Sequence, residues 1–96
     1  MAKYLIERTD GKSFDLPAEQ YRKALRPLTI ASRPTTGWGD HRIRTQGVDV
    51  AFKVEPKGIT VFIEGKMHPK DEEQLVDGVL ENIQLVTKQT GQVIPI

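Results

Sequence analysis

Ninety-six residues suffice for one domain, residues 1–96, and leave no room for a second core. With 38% apolar and 28% charged residues the balance is that of a globular chain, and the lack of cysteine excludes a disulfide framework, a thiolate metal site and a thiol nucleophile. The net charge of +1 hides a split: residues 1–47 carry nine Lys/Arg against five Asp/Glu, and residues 48–96 carry five against eight.

The chain opens on Tyr4-Leu5-Ile6, read as a first strand, with charge by Glu7 and no apolar leader region. Thr9-Asp10-Gly11 forms a tight turn into a second short strand at Lys12-Ser13-Phe14. Asp15 stands where a helix N-cap belongs, Pro17 fits the first turn, and Ala18, Tyr21, Leu25 and Leu28 continue at helical spacing until Pro27 ends the helix. Ser32 to Asp40, with two glycines and a proline, is a loop, and His41 to Gln46 is a strand carrying Ile43.

Val48, Val50, Phe52 and Val54 then alternate with Asp49, Ala51, Lys53 and Glu55, the period of a half-buried strand. Pro56-Lys57-Gly58 closes a hairpin into Ile59 to Glu64. Pro69 opens a second helix with Asp71, Glu72 and Glu73 favoured by its dipole. Leu75, Val76, Val79, Leu80, Ile83 and Val86 share one face of it, and Gly91 is its expected C-cap. Val93-Ile94-Pro95-Ile96 is an extended tail that Pro95 confines to a sheet edge.

This order predicts an α+β fold: an antiparallel sheet of three to five strands with two helices on one face. The middle of the order, α-β-β-β-α, is similar in topology to double-stranded RNA-binding domains. Those domains place phosphate-binding lysines at the start of their second helix. Here that position reads Pro69-Lys70-Asp71-Glu72-Glu73, which repels phosphate.

Catalytic constellations are not evident. His41 and His68 form no His-x₃-His or Glu-x₂-His pair, so no metal is expected and no cofactor is implied. Gly37-Trp38-Gly39 lacks the third glycine and the Gly-Lys-Ser/Thr of phosphate loops. The one acid–base pairing in the sequence is Asp40 beside His41, a basis for a small enzyme if both line a pocket. Five of the six arginines lie between Arg22 and Arg44, a segment that also holds the only tryptophan. Arg22, Arg26, Arg33, Arg42, Arg44 and Trp38 therefore form the candidate surface for an anionic partner. An acidic protein face is the leading partner, and RNA or single-stranded nucleic acid, stacked on Trp38, is the alternative. The weak net charge favours protein.

On the second helix, at about 100° per residue, Gly78 and Leu85 fall to one side of the apolar stripe. Together with Val93, Ile94 and Ile96 they are the expected self-association surface. Apolar runs of only a few residues give no membrane span, and a cytoplasmic location is the expectation.

Overall fold

A computed structural model describes residues 2–96. Its elements run β1 (Ala2–Arg8), α1 (Tyr21–Ala24, entered through a 3₁₀ turn at Ala18–Gln20), β2 (Arg33–Pro34), β3 (His41–Thr45), β4 (Val48–Glu55), β5 (Gly58–Glu64), α2 (Pro69–Thr87) and β6 (Gly91–Pro95). The strands form one antiparallel sheet in the order β2-β3-β4-β5-β1-β6, one strand more than the upper expectation. The extra strand is β2, two residues that pair with β3 as Arg33↔Arg44 and Pro34↔Ile43. No cue of period two exists over so short a segment.

The β4–β5 hairpin sets the core. Its register puts Val50 opposite Ile63, Phe52 opposite Val61 and Val54 opposite Ile59. Because strand side chains alternate, these residues share one face with Ile6 of β1 and Ile43 of β3. Leu75, Val76, Val79 and Ile83 of α2 close over that face, all fully buried. Each such side chain contributes about 1.5–3 kcal/mol of burial free energy.

The ends of α2 follow from local chemistry. His68 is its N-cap, with Nδ1 accepting from the Lys70 N–H at 3.1 Å, and Pro69 follows at the first helical position. Tyr4 Oη donates to Glu72 Oε1 at 2.9 Å and ties the first turn to β1. Burial and this carboxylate push the Tyr4 phenol up to about 12. At the far end Lys88, not Gly91, takes the left-handed capping conformation at φ 60°. Gly91 instead begins β6, where an added Cβ would meet Phe14 Cζ at 2.6 Å.

Three local expectations are corrected. Lys12 to Phe14 is not a strand, because Phe14 and Leu16 are drawn into the core and the segment leaves the sheet plane. Asp15 is not a helix cap: its N–H donates to Gln89 Oε1 at 2.8 Å, and the 3₁₀ turn starts after Pro17. The first helix is one turn long, too short to persist alone. It is held from outside by the buried Asn82 of α2, whose Nδ2 donates to the carbonyls of Lys23, Ala24 and Arg26 at 2.8, 3.1 and 3.3 Å. One turn further back on α2, Gly78 lets Pro27 approach: a Cβ there would lie 3.3 Å from the Pro27 Cβ, and Gly78 O accepts from the Leu28 N–H. Gly78 is therefore a contact inside the chain, not part of a free association surface.

Both edges of the sheet end in proline. The Thr9 N–H to Thr90 O and Ile96 N–H to Lys3 O bonds fix which β6 residues face β1, leaving Gly91, Val93 and Pro95 towards the outside. The Gly91 N–H is taken by Gln84 Oε1, and Pro95 has none. At the opposite edge, Pro34 takes the outward position of β2 by the same alternation. The tail at Val93, Ile94 and Ile96 is thus an intramolecular edge strand and its end, and it offers almost no donors to a second copy.

Two substitutions measure these assignments. Phe52→Ala should lower stability by about 3–5 kcal/mol in urea unfolding, since the ring is fully buried. Asn82→Ala should cost about 1–3 kcal/mol, because three carbonyls around the end of α1 lose a shared donor.

Candidate interaction face

Helices cover only one side of the sheet. On the other side the register groups Arg42 and Arg44 of β3, Asp49 and Ala51 of β4, Phe62 and Glu64 of β5, and Lys3 and Leu5 of β1. The loop after β2 folds across this face. Trp38 meets Phe62 edge to face, with centroids 5.0 Å apart and planes at 72°. Its indole Nε1–H donates to Glu64 Oε2 at 3.0 Å, yet the residue remains 46% exposed. Lys3 Nζ sits 5.3 Å from the Phe62 centroid and the Arg42 guanidinium 5.4 Å from the Trp38 centroid, both within cation–π range.

The loop needs its two glycines. Gly37 and Gly39 have φ of 149° and 97°, and a Cβ on Gly37 would lie 2.6 Å from Arg42 Nε. Trp38 is thereby pressed onto the sheet with its polar atom satisfied and one flank open to solvent.

Arg42 is not an exposed contact residue. It is 7% exposed, and its Nη2 donates to Glu64 Oε1 at 2.5 Å and to Asp49 Oδ2 at 3.4 Å. Asp49 also accepts from Arg44 Nη1 at 2.8 Å, so one line of alternating charge joins Arg44, Asp49, Arg42, Glu64 and Trp38. Asp49 and Glu64 were not among the sequence-derived candidates. The signal for Asp49 lay in Gln46-Gly47: both residues have positive φ, 50° and 78°, giving a two-residue hairpin turn that places residues 44 and 49 opposite each other.

Arg33 and Arg44 are exposed on this face, whereas Arg22 and Arg26 belong to the helical layer on the opposite side. Leu85 is 55% exposed and borders a depression of about 320 Å³ with Leu28, Glu81 and Gln84. Val93 packs against the core, Ile94 is half-buried and Ile96 is exposed. Asp40 and His41 do not assemble as an acid–base pair. Asp40 Oδ2 accepts from the Val54 N–H at 2.7 Å, and the buried His41 Nε2 has no hydrogen-bond partner among the described residues. His41 lies instead on the helix-covered face, 6.1 Å from the Phe52 ring.

Among the described residues no group of three or more His, Cys, Asp or Glu is placed to hold a metal ion, and no helix is long and apolar enough to cross a membrane. No protein-family model, curated protein or solved structure matches this chain.

Burial, and secondarily the Arg22 charge, hold the His41 imidazole below its ordinary value. The unfolded chain therefore takes up a proton near pH 6.5 that the folded chain refuses, and stability falls as pH drops through that region. Thermal unfolding followed from pH 7.5 to 5.5 should show the wild type losing melting temperature more steeply than His41→Gln.

Proposed function

We propose that this protein is a small non-enzymatic interaction module whose helix-free sheet face docks on an acidic protein surface. The observation that carries the reading is Trp38: half-exposed, fixed against Phe62, and flanked by Lys3 and the Arg42–Arg44 line of charge. A tryptophan held in one orientation before binding loses little side-chain freedom on docking, which is why such residues dominate binding energy in protein interfaces.

The arrangement of charge favours protein over nucleic acid. Arg42 and Arg44 are already paired with Asp49 and Glu64, so a row of phosphates would meet only Arg33 and Lys3 without a carboxylate partner among the described residues. A protein can instead bring a single acidic side chain to one of them. Nucleic-acid surfaces concentrate positive charge, and this face interleaves both signs. Interleaving gives register and specificity to a protein contact.

The test is affinity capture from native lysate with nuclease treatment, comparing wild type with Trp38→Ala. A polypeptide retained by the wild type, indifferent to nuclease, rebinding when purified and weakened at least tenfold by Trp38→Ala is the expected result. Capture of RNA or DNA that survives the loss of Trp38, or of nothing at all, would overturn the reading.

A further inference from the structure

The β2–β3 end of the open face holds polar atoms that the fold itself leaves unpaired. Arg33 stands directly opposite Arg44 across the two strands. Thr35, whose N–H donates to Arg42 O at 3.0 Å, continues the ladder one step beyond β2 and stands opposite Arg42. By alternation these four side chains share one face, three guanidinium groups and one hydroxyl in a two-by-two block. Like charges directly opposite each other in a sheet are unfavourable, and Arg33 has no carboxylate partner among the described residues. Beside this pair, Arg42 Nε, Arg42 Nη1 and Thr35 Oγ1 are buried with no hydrogen-bond partner among the described residues, the Arg42 Nε against Gly37 of the Trp38 loop. Arg42 is more than nine-tenths buried and held by Glu64 and Asp49, so it backs the Arg33–Arg44 pair rather than meeting a ligand itself.

A depression of about 350 Å³ opens beside the Arg33–Arg44 pair, lined by these two with Ala31, Ser32, Thr45 and Gln46, while Thr35 and Arg42, the latter under the Trp38 loop, stay outside it. Gln46 sits at its margin in left-handed conformation, φ 50°, which is uncommon for a residue with a side chain of that length. At the strand end Thr45 Oγ1–H donates to Ala31 O at 2.8 Å and ties together two of the lining segments. Across the three arginines, Asp49 and Glu64 supply two negative charges, so one positive charge remains uncompensated.

We infer that the Arg33–Arg44 pair at the rim of this depression is the anion-receiving subsite of the module and takes a carboxylate side chain of the partner protein. The inference rests on the interaction-module reading and names the group that the face recognises. A carboxylate offers planar, paired acceptors that match the guanidinium fork. It meets the uncompensated charge at Arg33 and relieves the Arg33–Arg44 juxtaposition while Trp38 stays in place.

The experiment is a titration followed by the arginine Nε–Hε NMR signals at constant low ionic strength. Three probes are used: an acetylated and amidated tetraglutamate peptide, its tetraglutamine counterpart, and inorganic phosphate. Saturable shifts of the Arg33 and Arg44 signals with tetraglutamate alone are expected, with the buried Arg42 signal unmoved. Arg33→Gln should weaken that binding at least fivefold, and Thr35→Val should leave it unchanged, both with unchanged circular dichroism. Linear shifts common to all probes, or an affinity untouched by Arg33→Gln, would overturn the subsite. Saturation by phosphate in preference to the peptide would also overturn it and assign the pair to phosphoryl groups. Should the titration fail while Trp38-dependent capture of a polypeptide persists, only the subsite falls; failure of both removes the module reading as well.

Discussion

A six-stranded sheet has two faces to protect from water, and this chain has helical material for one. The nineteen residues of α2, with a single turn of α1 pinned to it by Asn82, close over Ile6, Ile43, Phe52, Val61 and Ile63. Everything on the other face must coexist with solvent while the backbone beneath stays dry. Much of the molecule follows from that constraint: the loop from Thr36 to Asp40 lies across the bare face, and Arg42 spends its length covering Ala51 while its head is held by Glu64 and Asp49. Long cationic side chains suit this task, because their stems cover apolar surface and their ends tolerate partial burial when paired.

The same constraint explains why charge on this face is spoken for. Removing one partner from a buried pair strands the other, so Glu64 is bound to Arg42 as firmly as Arg42 is bound to it. Such pairs add little net stability over apolar packing of equal volume; what they supply here is orientation. Glu64 holds Arg42 with one oxygen and the Trp38 indole with the other, so a single carboxylate fixes both an aromatic ring and a guanidinium plane. The surface that results is rigid without being apolar.

How much of this the sequence disclosed depended on how regular the local pattern was. The β4–β5 hairpin and α2 were legible because eight alternating positions, or five turns of amphipathic helix, outvote any single residue. The extent of α1 was not, since Leu25 and Leu28 keep helical spacing although the chain has already left the helix to meet Asn82 and Gly78. Tertiary hydrogen bonds decided that boundary, and no window of local sequence contains them. The Lys12–Phe14 segment departs from its local pattern for a related reason: the turn signal before it is genuine, as Gly11 N–H to Arg8 O shows, yet Phe14 turns inward rather than along a strand. At the site, tryptophan and arginine content was visible, whereas the loss of Arg42 to burial required knowing its cross-strand neighbours. Those became available only once Gln46-Gly47 was recognised as a turn.

The place of β1 in the sheet has a kinetic consequence. Residues 2–8 lie between strands made from residues 58–64 and 91–95, so β1 pairs only with residues far along the sequence, as in Ile6↔Ile59 and Ile6↔Val93. Helix-first nucleation cannot anticipate this closure, because the early helix is itself one turn long and waits for Asn82. Loop-closure entropy is therefore met late and in large steps, and folding of such non-local pairings is slow relative to helical domains of equal size. During that interval Tyr4, Leu5 and Ile6 remain an unprotected β-prone stretch, and it is the β4–β5 hairpin, joined by two residues, that offers them the earliest template.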